Sequence, residues 1–482
     1  MINICIIATI VIYLVGMLLV GFVYSKSNED SSDFYLGGRT MGPLVTAMSA
    51  EASDMSSWLL MGMPGLAYLT GIASPGWTAI GLAVGTWLNW LIVARRLRRY
   101  SANLDAITVP QFLSLRFHDQ RNLLNALGAV IIIVFFIPYT ASGFAACGKL
   151  FNSLFGVDYM AAMVLSAVVI VGYTIMGGFR AVSTTDLIQS VVMSMALIAV
   201  LVYGVNVAGG WDVVLDNARS LPGYLTMAAS HNVADNSATS YSLLDIASTL
   251  AWGLGYFGMP HILVRYLSIK SEHEMRKSQI IGCSWILVIL AMSAVVGVIG
   301  RQFLGEIDNE NLVFVHMVRR LFPAFISGVL LSAILAAAMS TADSQLLASS
   351  SAFASDIYKP VIRKDATDHE MQWAGRIIVI LISVVAYFIA ADPNCGGIMA
   401  LVECAWAGFG SAFGPVILLS LYWRRLTYSG AVAGVCVGFA VDALWYAFLS
   451  TPTGLYEIIP GFAASLLAAV IASLCTKKPD AD

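Results

Sequence analysis

Among the charge-free stretches of this 482-residue chain, nine of 19 residues or more read as whole spans: Ile2–Tyr24, Pro75–Ala94, Asn122–Gly148, Tyr159–Phe179, Leu187–Trp211, Ile246–Val264, Ser278–Gly300, Leu321–Ala342 and Ile458–Thr476. A helix that crosses a bilayer needs ~20 consecutive, largely apolar residues. Composition closes the soluble alternative: 59% of residues are hydrophobic and 11% charged, against about 45–50% and ~25% in soluble domains. So few charges cannot cover a soluble globule of this size. The chain therefore reads as an all-α polytopic membrane protein embedded in a lipid bilayer.

The same figures exclude other classes. A net charge of -3 offers nothing to phosphate, so nucleic acid is not a partner. The seven Cys are scattered without paired or metal-like spacing and read as small buried apolar residues. The first run is a retained helix and not a signal peptide: no basic residue precedes it, its apolar run is too long, and no small-residue cleavage site follows.

Four further spans tolerate an internal polar residue: the region after Met41 with Glu51 and Asp54, about Trp373 to Ala391, Pro393–Trp423 with Glu403, and Leu426–Leu449 with Asp442. That makes thirteen, with the termini on opposite sides. Placing the N-terminus outside puts all but five of the 26 Lys and Arg (Lys149, Arg219, Arg301, Arg319 and Arg320) on the cytoplasmic side, as the positive-inside bias requires. No loop is long enough for a separate catalytic domain. The expectation is one domain over 1–482 that is not an enzyme, with no obligatory protein partner.

In lipid, a helix is interrupted only where the break lines a cavity or binds something. The second span reads Ala50-Glu51-Ala52-Ser53-Asp54-Met55-Ser56-Ser57-Trp58, followed by Pro64-Gly65, and the seventh reads Trp252-Gly253-Leu254-Gly255-Tyr256-Phe257-Gly258-Met259-Pro260. Both should be discontinuous. They are five spans apart, which fits two inverted five-helix repeats each opening with a broken helix, an arrangement that marks a substrate and ion site near the midplane.

Asp54 lies half-way through a span among Ser53, Ser56 and Ser57, where an ionised carboxylate needs compensation. Ala337, Ser340 and Thr341 of the ninth span share one helix face, offering a carbonyl and two hydroxyls. With carbonyls freed at Ala52 and Met55 they make an all-oxygen cage suited to a hard monovalent cation, sodium. Asp186 and Asp343 lie toward the inner ends of their spans, where they line a cytoplasmic exit path or cap and solvate helix ends. Arg39 reads as an inner gate, and Glu403 and Asp442 as paired or in a wet cleft. Gly143-Phe144-Ala145-Ala146-Cys147-Gly148-Lys149 has phosphate-loop spacing, but Leu150 follows where Ser or Thr should stand and no strand precedes it, so it carries no nucleotide chemistry.

Tyr35-Leu36-Gly37-Gly38-Arg39, Ala52-Ser53-Asp54-Met55-Ser56, Trp252 to Gly258, Pro260-His261-Ile262-Leu263, Leu331 to Ala337 and Ala405-Trp406-Ala407-Gly408-Phe409-Gly410 resemble the sodium:solute symporter family over essentially the whole chain. The resemblance implies a leucine-transporter-like 5+5 inverted-repeat core in spans two to eleven (42–423), preceded by one helix (2–24) and followed by two (426–476). It implies sodium-coupled uptake of L-proline by alternating access in the bacterial inner membrane, or of another small carboxylate such as a different amino acid or pantothenate. Carried over by motif, Ala52, Met55, Ala337, Ser340 and Thr341 would be sodium ligands with Asp54 as the required acid. Ser56, Ser57, Tyr139, Trp252, Tyr256 and Pro260 would meet the solute, Trp252 and Tyr256 forming an aromatic wall from one helix face. The resemblance also allows a second sodium site at Asp343 with Asp186 and Ser344. Glu51 and Ser57 stand where the family pattern has Gly. No signalling segment follows Lys477-Lys478, which argues against a sensor.

Overall fold

The computed structural model describes residues 4–26, 30–392 and 397–478. The expected start of a span at Pro393 and the first residues of the opening helix lie outside them. The described residues are overwhelmingly helical, and ten helices are long and apolar enough to cross a membrane. The helices used below are α1 (Ile4–Ser25), α2 (Pro43–Asp54), α3 (Gly62–Thr70), α4 (Ala73–Leu88), α5 (Leu123–Phe155), α6 (Tyr159–Val207), α7 (Leu243–Leu250), α8 (Pro260–Ser268), α9 (Met275–Leu304), α10 (Ala324–Ala352), α11 (Asp368–Ala391), α12 (Gly397–Tyr422), α13 (Tyr428–Phe448) and α14 (Ile458–Cys475).

Charge-free apolar runs produce these helices because in hydrocarbon each peptide group must bond within its own segment. α6 shows where one run becomes two. Its 49 residues would reach about 73 Å at 1.5 Å per residue, more than twice a bilayer core of ~30 Å. Gly178 breaks it with φ 62° and ψ -162°, a combination open essentially only to glycine. The reading of separate helices at Tyr159–Phe179 and Leu187–Trp211 therefore matches a chain that turns at Gly178.

Both expected interruptions are present. α2 stops at Asp54 and a 3₁₀ turn at Ser57–Leu59 precedes α3. α7 passes into a 3₁₀ segment, Ala251–Phe257, before α8. The second break packs against α4 without side chains between: a Cβ on Gly85 would lie 2.4 Å from Gly253. α10 and α12 form the centre, with 78% and 83% of their spanning windows buried, whereas α1, α13 and α14 are 28% buried and present leucines and phenylalanines outward. α10 lies against α1, α5 and α6, and α12 against α5, α13, α14 and the Ala251–Phe257 segment.

One end of the bundle is basic. There Arg39 hydrogen-bonds the carbonyls of Leu267 (3.2 Å), Ser101 (3.2 Å) and Ala106 (2.8 Å). Met41 pairs in parallel with Ile269, and Arg98 reaches the Ile269 carbonyl at 2.7 Å. These bonds tie the start of α2 to the end of α8. A hairpin, Ala229–Asn232 against Ser237–Ser240, forms part of the segment before α7 and lies against α3 and α4.

Candidate functional site at the two broken helices

The break after α2 follows from its side chains. Ser and Asp compete with the helix for backbone groups, and here Ser56 accepts a hydrogen bond from the Trp58 amide at 3.3 Å. Met55 adopts φ -78°, ψ 62°, outside the helical region, so the last carbonyls of α2 lack helical partners and face α10.

α10 meets them with Ser340, whose Oγ lies 3.0 Å from the Ala52 carbonyl and 3.1 Å from that of Ala337. Thr341, 3% exposed, has a buried Oγ1 without a partner. Three of the expected cation ligands thus touch one another, and a fourth sits beside Ser340 with its oxygen unsatisfied. The donor set is neutral and all oxygen, the chemistry that suits a hard monovalent cation. A cation held there would take over the two carbonyl oxygens that the Ser340 hydroxyl now bonds, with the intact hydroxyl turning its oxygen lone pairs toward the ion, and would give Thr341 Oγ1 the partner it lacks.

Asp54 belongs to a neighbouring place. Tyr256 donates a hydrogen bond to its Oδ2, and Asp54 lines a small cavity with Ser56, Trp58, Tyr139, Trp252 and Trp406. Ser56, Tyr139 and Trp252 are therefore brought together as expected. Tyr256 acts by holding Asp54. Ser57 is buried with an unpartnered hydroxyl, and Pro260 opens α8 at its first turn; neither lines the cavity.

The shared face expected for Trp252 and Tyr256 does not form. In a 3₁₀ segment, residues three apart eclipse and residues four apart diverge by about 120°. Trp252 instead stacks on Trp58, with ring centroids 6.0 Å apart, and on Tyr456 at 5.7 Å. Tyr256 meets Trp406 edge-on at 5.2 Å. Trp406 closes the wall by donating to the Trp252 carbonyl at 2.7 Å. Neither Trp58 nor Trp406 was among the expected contacts, although both lie in motifs already singled out; only their apposition marks them as lining residues.

Arg265 received no site role from the sequence. Counted only with the cations of the cytoplasmic side, it is 1% exposed. It pairs with Asp186 at 3.2 Å and bonds Ser49 (3.0 Å), the His261 carbonyl (2.6 Å) and Ser344 (2.5 Å). Ser49 in turn donates to Asp186 at 2.6 Å. Asp343 accepts from Ser344 at 3.1 Å and from Tyr173. Asp186, Asp343 and Ser344 do form one network, with an arginine supplying its positive charge.

Glu51 turns away from the cation cluster. It accepts from the Trp90 indole at 2.7 Å and from Thr86 at 3.1 Å, fastening α2 to α4 and the turn that continues it. Asp442 accepts from Ser411 at 2.9 Å, a paired carboxyl as expected. The stretch Gly143–Lys149 lies inside the continuous helix α5, so no phosphate loop exists there.

Residues 34–438 match the model of the sodium:solute symporter family. The osmoregulated proline transporter OpuE of Bacillus subtilis is 42% identical over 480 residues, covering 98% of this chain and 95% of its own. The sodium/proline symporter of Haemophilus influenzae is 43% identical with the same coverage, and that of Escherichia coli is 41% identical over 98% and 93%. Among solved structures, a Na+-coupled sialic acid symporter in a substrate-bound outward-open state superposes with a TM-score of 0.81 at 20% identity, over 99% of both chains. A nucleobase-cation-symport-1 family transporter in a closed conformation gives 0.58 at 15% identity, over 92% and 94%. Two broken helices around one cavity, an oxygen cluster beside it, a family model spanning most of the sequence and full-length relatives lead to one conclusion: this multi-pass membrane protein belongs to the sodium:solute symporter family.

Proposed function

We propose that the chain takes up L-proline with sodium across the bacterial cytoplasmic membrane. The observation that carries this is that one unwound segment serves both sites. Ala52 offers its carbonyl beside α10, while Asp54, Met55 and Ser56 line the aromatic cavity next to it. Sodium held by Ala52, Met55, Ala337, Ser340 and Thr341 fixes that segment and so completes the solute wall; loss of sodium loosens both.

Asp54, held by Tyr256, sets the local negative potential that draws the cation in. Trp58, Trp252 and Trp406 enclose an apolar ring, and Tyr139 and Ser56 offer hydroxyls to its polar end. No bond is made or broken in the solute, so the work is that of a transporter and not an enzyme.

The helices count to thirteen crossings: the ten long ones, one more because α6 turns at Gly178, and the two broken spans. Spans two to eleven, over 42–423, form the inverted-repeat core, with 2–24 before it and 426–476 after it. The basic end faces the cytoplasm, which places the N-terminus outside.

Radiolabelled proline uptake into proteoliposomes of the purified protein tests the reading. Uptake should require an inward sodium gradient and be abolished by excess unlabelled L-proline, and less affected by other amino acids or pantothenate. Uptake without sodium, or failure of L-proline to compete, would overturn it.

A further inference from the structure

Buried polar atoms are nearly always partnered, and in a membrane an orphan costs several kcal/mol. Unpartnered atoms occur on several helices, but the longest run of them lies along one. Beyond Thr341 Oγ1, α10 and the π-helical turn that continues it carry Gln345 Nε2, Ser349 Oγ, Ser351 Oγ, Ser355 Oγ and Asp356 Oδ2, all buried and without a partner. Thr341, Gln345 and Ser349 follow at four-residue spacing, one stripe of the helix. That stripe faces α5, because Thr140 donates to Gln345 Oε1 at 3.2 Å and Gly143 lies against Ala338 and Ala342. α5 contributes Asn125, whose Oδ1 is likewise unpartnered.

The seam starts at the cation cluster and ends in an open groove of about 600 Å³ at the basic end, lined by Asn125, Ser355, Gln111, Ser114 and Lys359 among others. From Thr341 to Asp356 it covers roughly 22 Å at 1.5 Å per residue. Asp356 is fully buried just behind the groove; Thr108 donates to its Oδ1 at 2.9 Å, leaving Oδ2 free. The other buried carboxylates near the cation cluster are engaged. Asp186 keeps an unpartnered Oδ1, but its Oδ2 is paired with Arg265, whose charge repels a cation, and Asp343 is held by Tyr173 and Ser344.

We infer that the seam between α5 and α10 is the path by which the transported cation leaves toward the cytoplasm, with Asp356 as an intermediate site for a monovalent cation at its mouth. One carboxylate with neighbouring hydroxyls binds such an ion and releases it again, whereas a divalent ion would require more carboxylates. Opening the seam hydrates atoms that are unsatisfied while it is closed, which lowers the cost of opening.

The inference rests on the sodium-symport reading, and the test separates the two. In right-side-out proteoliposomes of the full chain, sodium placed inside should inhibit uptake, and Asp356→Asn should raise the internal concentration for half-inhibition by roughly tenfold, about 1.4 kcal/mol. Half-saturation by external sodium should stay as in the wild type. Asp356→Glu should restore the internal response. A wild type indifferent to sodium would overturn the symport reading and this one together. Sodium-dependent uptake with an unaltered internal response in Asp356→Asn would overturn this one alone.

Ser349→Cys provides a measurement independent of Asp356. A membrane-impermeant thiol reagent applied from the cytoplasmic side should modify it without sodium, above the background of the native cysteines, and external sodium with proline should slow the reaction. No modification under any condition would overturn the path.

Discussion

Ser340 and Arg265 hold the two polar clusters of the membrane interior together, and they do so differently. Ser340 bridges two carbonyls on different helices with one hydroxyl. Ser340→Ala removes an oxygen from the cation cluster without disturbing packing, so the sodium concentration for half-maximal solute binding should rise by about tenfold, equivalent to ~1.4 kcal/mol. A sodium titration of solute-induced tryptophan fluorescence checks this, since Trp58, Trp252 and Trp406 all line the cavity.

Arg265 neutralises Asp186 where no water reaches. Removing one partner of a buried pair leaves an uncompensated charge, worth about 3–5 kcal/mol. Arg265→Met should therefore lower the thermal stability of the purified protein sharply, and adding Asp186→Asn should recover a large part of the loss. An Arg265→Met protein as stable as the wild type would show that the pair has no such role. Glu51 is the contrasting residue: beside the cation motif in sequence, it spends its oxygens on Trp90 and Thr86, as a fastener between helices.

At the scale of elements, interruptions define the molecule more than helices do. The break after Asp54 frees the Ala52 carbonyl, the 3₁₀ segment at Ala251–Phe257 puts Trp252 but not Tyr256 on the cavity, and Gly178 kinks the longest helix. Gly178→Ala forces a side chain into a backbone conformation only glycine tolerates and should cost about 1–3 kcal/mol. Gly172→Ala, six residues earlier, meets only a Leu18 methyl at 3.8 Å and should be close to neutral. Parallel melting curves of the two variants decide the matter, and equal stabilities would contradict a fixed kink. The breaks themselves were legible in the sequence, because Ser, Asp, Gly and Pro act on the backbone within a few residues. The geometry inside a break was not: α-helical spacing put Trp252 and Tyr256 on one face, and the tighter 3₁₀ winding separated them.

Over the whole molecule, burial is graded from α10 and α12 outward to α1, α13 and α14, so the site sits where rigid neighbours surround the broken segments. Transport of one sodium with a neutral zwitterion moves a net charge. An inside-negative potential of 100 mV is worth ~2.3 kcal/mol per charge, so it should raise steady-state accumulation up to roughly 50-fold, each 1.4 kcal/mol being a factor of ten. Proteoliposomes with an imposed potassium diffusion potential measure this directly, and accumulation independent of potential would rule out electrogenic uptake.

By itself, the amino-acid sequence determined membrane residence, the positions of the apolar runs, the two interruptions and the residue types of the cation cluster. Each of these depends on hydropathy and backbone preference over a few turns of chain. Tertiary structure alone decided which oxygens meet: Ser340 with Ala52, 288 residues apart; Asp54 with Tyr256 in the solute cavity and not inside the cation cage; and Arg265 with Asp186 away from the surface. The physical reason is that a polar group buried in a bilayer must find its partner within about 3 Å, and that partner is chosen by how the helices cross.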